Sequence, residues 1–309
     1  LVARRMAHAP TARPSRGLLS DAAELFDFLV GYGRREGGYR MRSLARRAFA
    51  TPRASAAWLR RLDSYRAFHG LARQGADLAA RKPSKDYLRL GFDVPSRIEL
   101  LAGHHEFAAV ATPRALLAAL WRCEETTLAE LAGRSGVRYR LRLNLTERSP
   151  FEGEWEIAFE RIEPDGRPST MAGVAFLLGA PTPADPSPVL LIGGMQGALG
   201  GLDKKEIVAA TRDLKGLRPK HAALLAVQAL AARVGCRAVF AVSNEAHVIN
   251  AKRATRRDGK QADYDSFWRE RGGVEHPHLG FELPVLADRS KPERAAIVAG
   301  IEALFPARA

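Results

Sequence analysis

Two side chains suited to acid–base chemistry and hydrogen bonding, Asn244 and His247, follow an apolar run from Arg237 to Val242. That run is predicted to be a short strand, and ligands of open α/β sheets bind beyond the carboxyl ends of strands. An imidazole titrates near neutral pH, so His247 is a candidate general base, assisted by Asn244. A hydrogen-bonded structural histidine is an equally good interpretation.

A second pair of candidate bases, Asp263 and Asp265, flanks Tyr264. In an extended segment the two carboxylates lie on the same side of the chain, where either would serve as a base. In a helix that begins near Ala262, Asp263 instead caps the first turn at Ser266. Both interpretations stay open.

A glycine-rich segment from Gly193 to Gly201 follows the apolar run Val189 to Ile192, which is predicted to be a buried strand. Glycines let a ligand approach the backbone closely, although a tight turn before a helix is the simpler interpretation. The candidate residues for binding a phosphorylated cofactor in this segment are Gln196, Gly197, Gly200 and Gly201.

Two cations, Arg218 and Lys220, flank Pro219 at the predicted start of a helix. A helix dipole and two positive side chains would act together on a phosphate or a carboxylate. An exposed basic turn is the alternative.

A histidine–carboxylate site for non-haem iron or another divalent metal is a further alternative. Its residues would be His247, Asp263, Asp265, Glu275, His276 and His278. The spacing of these residues is not diagnostic, so no metal ligand is assigned and a divalent metal is less favoured than acyl-CoA. The pair His104 and His105, followed by Glu106, is predicted to lie on a helix surface.

The pattern of elements predicts three parts: a disordered tail over 1–17, a basic helical part over 18–136 and an α/β core over 137–309. The helical part includes predicted helices at Pro113 to Glu125 and Leu128 to Ser135. In the core, period-two alternation predicts strands over 139–146, 154–161 and 170–178. Helices are predicted from Asp203 to Leu214, with a capping box, from Pro219 to Val234 and from Pro292 to Phe305, and an irregular loop over 275–278.

The net charge of +14 is concentrated near the start of the chain. Such an excess attracts anionic lipid, lipopolysaccharide phosphates or a nucleotide cofactor, although a solvated arginine-rich surface is the simpler interpretation. No nucleic-acid-binding motif is recognisable. The two cysteines make no disulfide framework, and no leader-like or membrane-spanning apolar segment is seen, so a cytoplasmic location, or one peripheral to the inner membrane, is predicted.

Several longer motifs resemble the VirK/YbjX family of bacterial proteins. They are GGMQGALGG, ATRDLKGLRPKHAALLAVQALA, AVSNEAHV and QADYDSFW, with further similarity at RIELLAGHHEFAA, LTERSPFEGEWEIAF and GFELP. One departure is that Ile249 and Asn250 stand where the family pattern has a tyrosine and a basic residue. The resemblance implies links to virulence, envelope integrity and resistance to antimicrobial peptides, and it implies no established chemistry.

The predicted fold is a mixed, mainly antiparallel α/β sheet that resembles the element order of the acyl-CoA N-acyltransferase (GNAT) fold. That resemblance implies that the loop QGALGG holds a coenzyme pyrophosphate with backbone N–H groups. Leu199 stands where the first glycine of the GNAT pattern belongs.

These features predict a transferase of acyl type that acts on a peptide or an envelope component with a phosphorylated donor such as acyl-CoA. Two alternatives stay open. One is a non-catalytic protein that binds anionic lipid or lipopolysaccharide through its basic first third, in antimicrobial-peptide resistance. The other is a metal-dependent, non-haem iron oxygenase.

Overall fold

One mixed sheet of eight strands runs through the part of the chain described by the computed structural model, residues 18–179, 187–198, 202–250 and 263–306. The strand order is β1-β2-β3-β4-β5-β6-β8-β7, in which β5 and β6 are parallel and all other neighbours are antiparallel. The strands are β1 Thr126–Ala132, β2 Arg138–Leu145, β3 Trp155–Ile162, β4 Pro168–Gly179, β5 Val189–Gln196, β6 Ala238–Ala241, β7 Val274–His276 and β8 Gly280–Leu283. The predicted tail over 1–17, Gly200 and Gly201 lie outside the described residues.

Helices precede the sheet and connect its later strands. They are α1 Leu18–Glu36, α2 Gly38–Ala48, α3 Pro52–His69, α4 Arg73–Ala80, α5 Val94–Ala111, α6 Arg114–Trp121, α7 Lys204–Asp213, α8 Pro219–Arg233, α9 Tyr264–Glu270 and α10 Pro292–Leu304. No helix among the described residues is both long and apolar enough to cross a bilayer.

The alternation in β2 gives the sheet one apolar and one polar face. Leu141 and Leu143 are fully buried on the apolar face, whereas Arg142 and Asn144 point to the other. The apolar helix α8 packs against β3 and β4, and α10 packs against α8 and β1. The mixed, mainly antiparallel sheet predicted from the sequence is thereby confirmed.

The connection between the parallel strands β5 and β6 is made by α7 and α8, because parallel neighbours need a crossover. Asp203 and Glu206 form the predicted capping box at the start of α7. Pro219 begins α8, and Gly235 follows its end with φ +78°. These predictions of helix ends are confirmed.

Three predicted elements were wrong. The segment 128–135 is not a helix, since β1 occupies 126–132 and pairs with β2. Its Leu, Ala and Glu residues favour a helix locally, but backbone pairing along β2 decides the structure. Gly193–Gln196 belongs to β5 rather than to a turn, and the segment 274–283 is the β7–β8 hairpin rather than an irregular loop.

The basic first third of the chain contains several ion pairs. Arg35 bonds Asp77 at 2.6 Å, and Arg60 bonds the buried Asp21 at 2.7 Å. The helix α2 has four arginines and no acidic residue of its own, although Arg40 pairs with Glu36 of α1, and Tyr39 beside them is 83% exposed. Binding to anionic lipid through this part therefore stays a prediction, as does the division of the chain at residue 136.

We expect Gly300→Ala to destabilise the protein by about 1–3 kcal/mol, because a Cβ there would overlap the carbonyl oxygen of Leu128 in β1. Gly103→Ala is the matched control in another helix, where a Cβ meets nothing within 4 Å. That control should stabilise by roughly 0.5–1 kcal/mol through helix propensity. Urea unfolding measures both, and equal effects would contradict the packing of α10 on β1.

Candidate functional site

The parallel strands β5 and β6 separate at one end. Their pairing runs from Val189 and Ala238 to Ile192 and Ala241, and one further bond joins the Val242 N–H to the Ile192 carbonyl at 2.9 Å. β5 then continues to Gln196, whereas the chain after β6 turns away at 244–246. We call the region between Met195–Gln196 and the 244–247 turn the β5–β6 fork.

Tyr264, the first residue of α9, fills the fork. Its hydroxyl donates to the Met195 carbonyl at 3.0 Å and lies 3.4 Å from the Met195 nitrogen, so it satisfies backbone groups that β6 no longer reaches. Trp268, one turn further on, donates its indole N–H to the Val242 carbonyl at 3.0 Å. The fork is therefore held apart by aromatic side chains of α9.

His247 lies inside the fork and is 2% exposed. Its Nδ1 accepts the Ile249 N–H at 3.2 Å, which assigns the proton of the neutral imidazole to Nε2. Nε2 is 3.7 Å from Oε1 of Glu152, and the imidazole and Tyr264 ring centroids are 5.1 Å apart. The predicted histidine is thus beside a carboxylate and a phenol rather than among aliphatic side chains.

Glu152 is the residue that sequence reasoning missed. It precedes β3, its Oε2 accepts the Gln196 amide at 2.8 Å, and its carboxylate lies over Gly194, where a Cβ would overlap it. A Cβ on Gly193 would likewise overlap the Glu152 carbonyl oxygen. Two adjacent glycines inside a strand are the available signal, since glycine in a strand marks close approach of another group.

The register shift at Gly193 is a bulge in β5. Ala175 pairs with Gly194 and Phe176 pairs with Ile192, so Gly193 is the extra residue. The first two glycines of the glycine-rich segment therefore have a packing role. Gly193 and Gly194 admit the chain segment that carries Glu152.

Asn244, Asp263 and Asp265 are brought together. Asn244 donates its backbone N–H to Asp265 at 2.7 Å and its amide to Asp263 at 3.1 Å, and it accepts the Tyr264 N–H at 2.8 Å. Asp263 also accepts the Ser266 N–H at 3.0 Å, which confirms the helix-cap alternative. Hydrogen bonds from Ser266 and Asn244 lower the pKa of Asp263. Both aspartates anchor α9 to the turn after β6.

Lys220 lies near the outer end of the fork. Its Cε is 3.9 Å from the position of a Cβ on Gly197, and burial lowers the pKa of its ammonium. Gln196 and Gly197 are partly exposed there. Arg218 instead pairs with Glu270 at 3.1 Å. Of the two predicted cations, only Lys220 therefore lies beside Gly197.

The six-residue metal set is not assembled, and that prediction was wrong. Glu275 pairs with Arg269, and the His276 ring lies 5.0 Å from that of Phe240. Among the residues that the structure describes, His104, His105 and Glu154 alone have potential ligand atoms within 4.8 Å of one another. Asp263 and Asp265 are engaged by Asn244 instead.

His104 and His105 belong to a second polar centre, the buried lysine cluster, formed by Lys82, Tyr87, His104, His105 and Glu154. Lys82 Nζ and the Tyr87 hydroxyl both lie 2.7 Å from Oε1 of Glu154, and His105 Nε2 lies 3.8 Å from Oε2. His104 accepts the Leu178 N–H at 3.0 Å. The prediction of a helix-surface histidine pair was therefore wrong, because α5 buries this face against β4.

The donor set of the buried lysine cluster does not fit a metal ion. The Lys82 ammonium already occupies the cation position beside the carboxylate, and a dication there would meet its charge in an enclosed site. Burial lowers the pKa of Lys82, and the Glu154 carboxylate opposes that shift. Burial also lowers the pKa of His105 to about 4 and that of His104 well below its usual range.

The buried lysine cluster and the fork are joined through Gly153. Lys82 donates to the Gly153 carbonyl at 2.9 Å, as does Thr146 at 2.6 Å, which holds the segment between Glu152 and Glu154. The segment 87–90 adds a second link. Leu88 N–H bonds the Phe151 carbonyl and Leu90 N–H bonds the Ala246 carbonyl, both at 2.8 Å.

A profile of the family described as "Protein of unknown function (DUF535)" matches residues 34–296, which is most of the chain. The protein belongs to the DUF535 family. This DUF535 chain is 28% identical over 246 residues to the Escherichia coli K12 protein named "Uncharacterized protein YbjX", covering 79% of this chain and 72% of that relative. The VirK/YbjX resemblance is thereby confirmed. No solved structure matches the chain.

We expect Lys82→Met to destabilise this DUF535 protein by about 3–5 kcal/mol, because the buried Glu154 carboxylate loses its ammonium partner. The double variant Lys82→Met with Glu154→Gln should recover part of that loss. Lys204→Met, at an exposed lysine, is the control and should stay within about 0.5 kcal/mol of the wild type. Urea unfolding measures all three, and a double variant no more stable than Lys82→Met would contradict the pairing.

The two buried histidines predict acid sensitivity. Their folded-state pKa values lie below the usual value of 6.5, so the stability they contribute is present above pH 6.5 and declines as pH falls toward about 4. Each should contribute a slope of at most about 1.4 kcal/mol per pH unit.

His105→Phe preserves packing against Trp58 and Trp121 while removing one titrating group, so its unfolding free energy should fall less steeply between these pH values. His278→Gln, at an exposed histidine, is the control. Identical slopes for His105→Phe and wild type in urea unfolding would contradict this assignment.

Proposed function

We propose that this protein transfers an acyl group from a coenzyme A thioester to an amine of a peptide or an envelope component. The observation that carries the proposal is the grouping in the β5–β6 fork of a carboxylate, an imidazole and a phenol. Glu152, His247 and Tyr264 lie there beside one another, and Lys220 lies at the outer end.

The order of elements supports the proposal. Antiparallel strands lead to a parallel pair that separates, a helix follows the second strand of that pair, and an antiparallel hairpin completes the sheet. The GNAT resemblance implies an order of this general kind, and that resemblance stays a prediction. A fold alone does not define a reaction, so the argument depends on the side chains of the fork.

Acyl transfer to an amine needs a base, a proton donor and a place for the thioester carbonyl. In the proposed reaction the amine nitrogen attacks the thioester carbonyl carbon, the C–N bond forms and the C–S bond breaks. The amine proton goes to Glu152, whose charge His247 tunes through its Nε2–H. The leaving thiolate takes a proton from the Tyr264 hydroxyl, which is later restored from Glu152 through solvent.

The donor would lie across the outer end of the fork. Lys220 is a cation beside Gly197, where the backbone is accessible, and a partly buried ammonium attracts a phosphate more strongly than an exposed one. Asn244, Asp263 and Asp265 then act as positioning residues, because they fix α9 and with it the Tyr264 hydroxyl.

Calorimetry with acetyl-CoA and longer acyl-CoAs tests donor binding, and thiol release in the presence of peptide amines tests turnover. Removing the base in Glu152→Gln, or the proton donor in Tyr264→Phe, should lower kcat by roughly 10²–10⁴-fold. His247→Gln should shift the pH profile of kcat. Lys220→Met should raise the Kd for acyl-CoA with a smaller effect on kcat.

Glu275→Gln is the control, since Glu275 lies in the exposed part of the β7–β8 hairpin and pairs with Arg269. It should match the wild type in binding and in turnover. Folded wild-type protein that binds no acyl-CoA, or Glu152→Gln with unchanged kcat, would contradict the proposal.

A further inference from the structure

The polar face of the sheet carries three neighbouring groups that the fold leaves unsatisfied. Arg142 and Asn144 lie on β2, and Glu156 lies directly across from Asn144 on β3. Each points away from the apolar face that α8 covers. We call these three residues the β2–β3 triad.

Glu156 is 4% exposed, and no residue within the described ranges gives its carboxylate a hydrogen bond or an ion pair. Its oxygens are not among the fully enclosed unpaired atoms, so the carboxylate still reaches solvent. Its Oε1 lies 2.5 Å from the position of a Cβ on Gly173 of β4, so the carboxylate rests on the sheet where that glycine leaves room. Burial raises the pKa of Glu156, opposed by Arg142 and Arg148. A largely buried carboxylate that no described side chain hydrogen-bonds points to a ligand that supplies the donor.

The other two members of the triad are unsatisfied in a complementary way. Nη1 of Arg142 and Oδ1 of Asn144 are buried without a hydrogen-bond partner in the described part of the chain. Arg142 uses its Nε for Glu160 at 2.6 Å, and Asn144 uses its Nδ2 for the Leu145 carbonyl at 2.8 Å, which assigns its amide oxygen to the open side. The triad therefore keeps one donor group, the Arg142 Nη1, and two acceptor groups, the Asn144 Oδ1 and the Glu156 carboxylate.

Glu160, four residues further along β3, is the informative contrast. It is as buried as Glu156, yet Arg140, Arg142 and Thr170 all bond its carboxylate. The sheet thus satisfies one buried glutamate completely and leaves the next one without a partner. Local packing alone does not require that difference.

The complement of the triad is an ammonium next to a carbonyl. The ammonium donates to Glu156 and to Oδ1 of Asn144, and the carbonyl oxygen accepts from Nη1 of Arg142. We propose that the β2–β3 triad binds the α-ammonium and adjacent carbonyl of an amino acid or of a peptide N-terminus.

The triad lies next to the fork. Gly173, under the Glu156 carboxylate, pairs with Gln196, which bonds Glu152. Gly173 and Gly194, under the two carboxylates, are diagonal neighbours of roughly 7–8 Å, so an ammonium between the carboxylates approaches both. The statement that the bound amine is the acyl acceptor rests on the proposed transferase function. Binding of the amine to the triad does not.

Titration calorimetry without any acyl-CoA tests the site with alanine, alaninamide, trialanine and N-acetylalaninamide. The free amines should bind and the acetylated amide should not. Preference for alanine would identify a free amino acid as the source, and preference for trialanine a peptide N-terminus. Glu156→Gln should weaken binding roughly 10–100-fold, as loss of a charge-assisted hydrogen bond does.

Asn144→Ala is a second variant and should weaken binding several-fold through loss of one acceptor. Glu130→Gln, at an exposed glutamate on β1, is the control and should bind like the wild type. The melting temperature of Glu156→Gln should equal or exceed that of the wild type, because burial disfavours the charged carboxylate more than Arg142 and Arg148 favour it.

Equal binding of alaninamide and its acetylated form, no binding of any probe, or unchanged affinity in both triad variants would overturn the assignment. Failure of the transferase proposal alone looks different: amines bind through Glu156 while acyl-CoA does not bind. If Glu156→Gln catalyses acyl transfer with an unchanged KM for the amine, the transferase proposal stands and the proposal that the triad binds the amine is wrong.

Discussion

The passage of three residues, Glu152 to Glu154, across β4 and β5 is the constraint on which the rest of the structure depends. Gly153 lies so close to Phe176 that a Cβ would meet its backbone, and the Glu154 N–H bonds the Phe176 carbonyl at 2.9 Å. The residues on either side then point in opposite directions. Glu152 enters the fork and Glu154 enters the buried lysine cluster, so a single backbone contact sets both polar centres.

The buried lysine cluster has a structural explanation in this arrangement. An ammonium that reaches the Gly153 carbonyl and the Glu154 carboxylate together fixes the path of the chain just before β3 begins. Buried ion pairs contribute little net stability compared with apolar replacements, but breaking one is costly. The role of the cluster is therefore to position the chain, which keeps the Glu152 carboxylate at its distance from His247.

The sequence predicted the parts of the fold that depend on local pattern. Alternation located β2 and β3, the capping box located α7, and the residue pattern at Asp263 offered the helix cap that the structure contains. It failed where a distant contact decides. β1 is a strand because β2 pairs with it, and His104 and His105 are buried because α5 is covered by β4 as well as by other helices.

The candidate site divides in the same way. His247 and Asn244 follow one recognisable strand and Gln196 ends its neighbour, so the sequence could place them at the same edge of the sheet. Glu152 lies in a loop that reaches the fork only through a bulge at Gly193, and nothing near it in the sequence indicates that contact. Glu156 looked like an ordinary polar residue of an alternating strand, because its lack of a partner emerges only when the neighbouring strands are in register.

The segment 87–90 links the two sides of the fork through backbone hydrogen bonds. Leu88 adopts a left-handed backbone conformation, φ +63°, that most residues avoid, and in that conformation the segment bonds the Glu152 side of the fork through Phe151 and the His247 side through Ala246. These four residues therefore connect the two sides of the fork, which come from separate regions of the chain. Because Asn244 ties α9 to the same turn, the hydrogen bonds of segment 87–90 join the carboxylate, the imidazole and the phenol of α9 in one connected network.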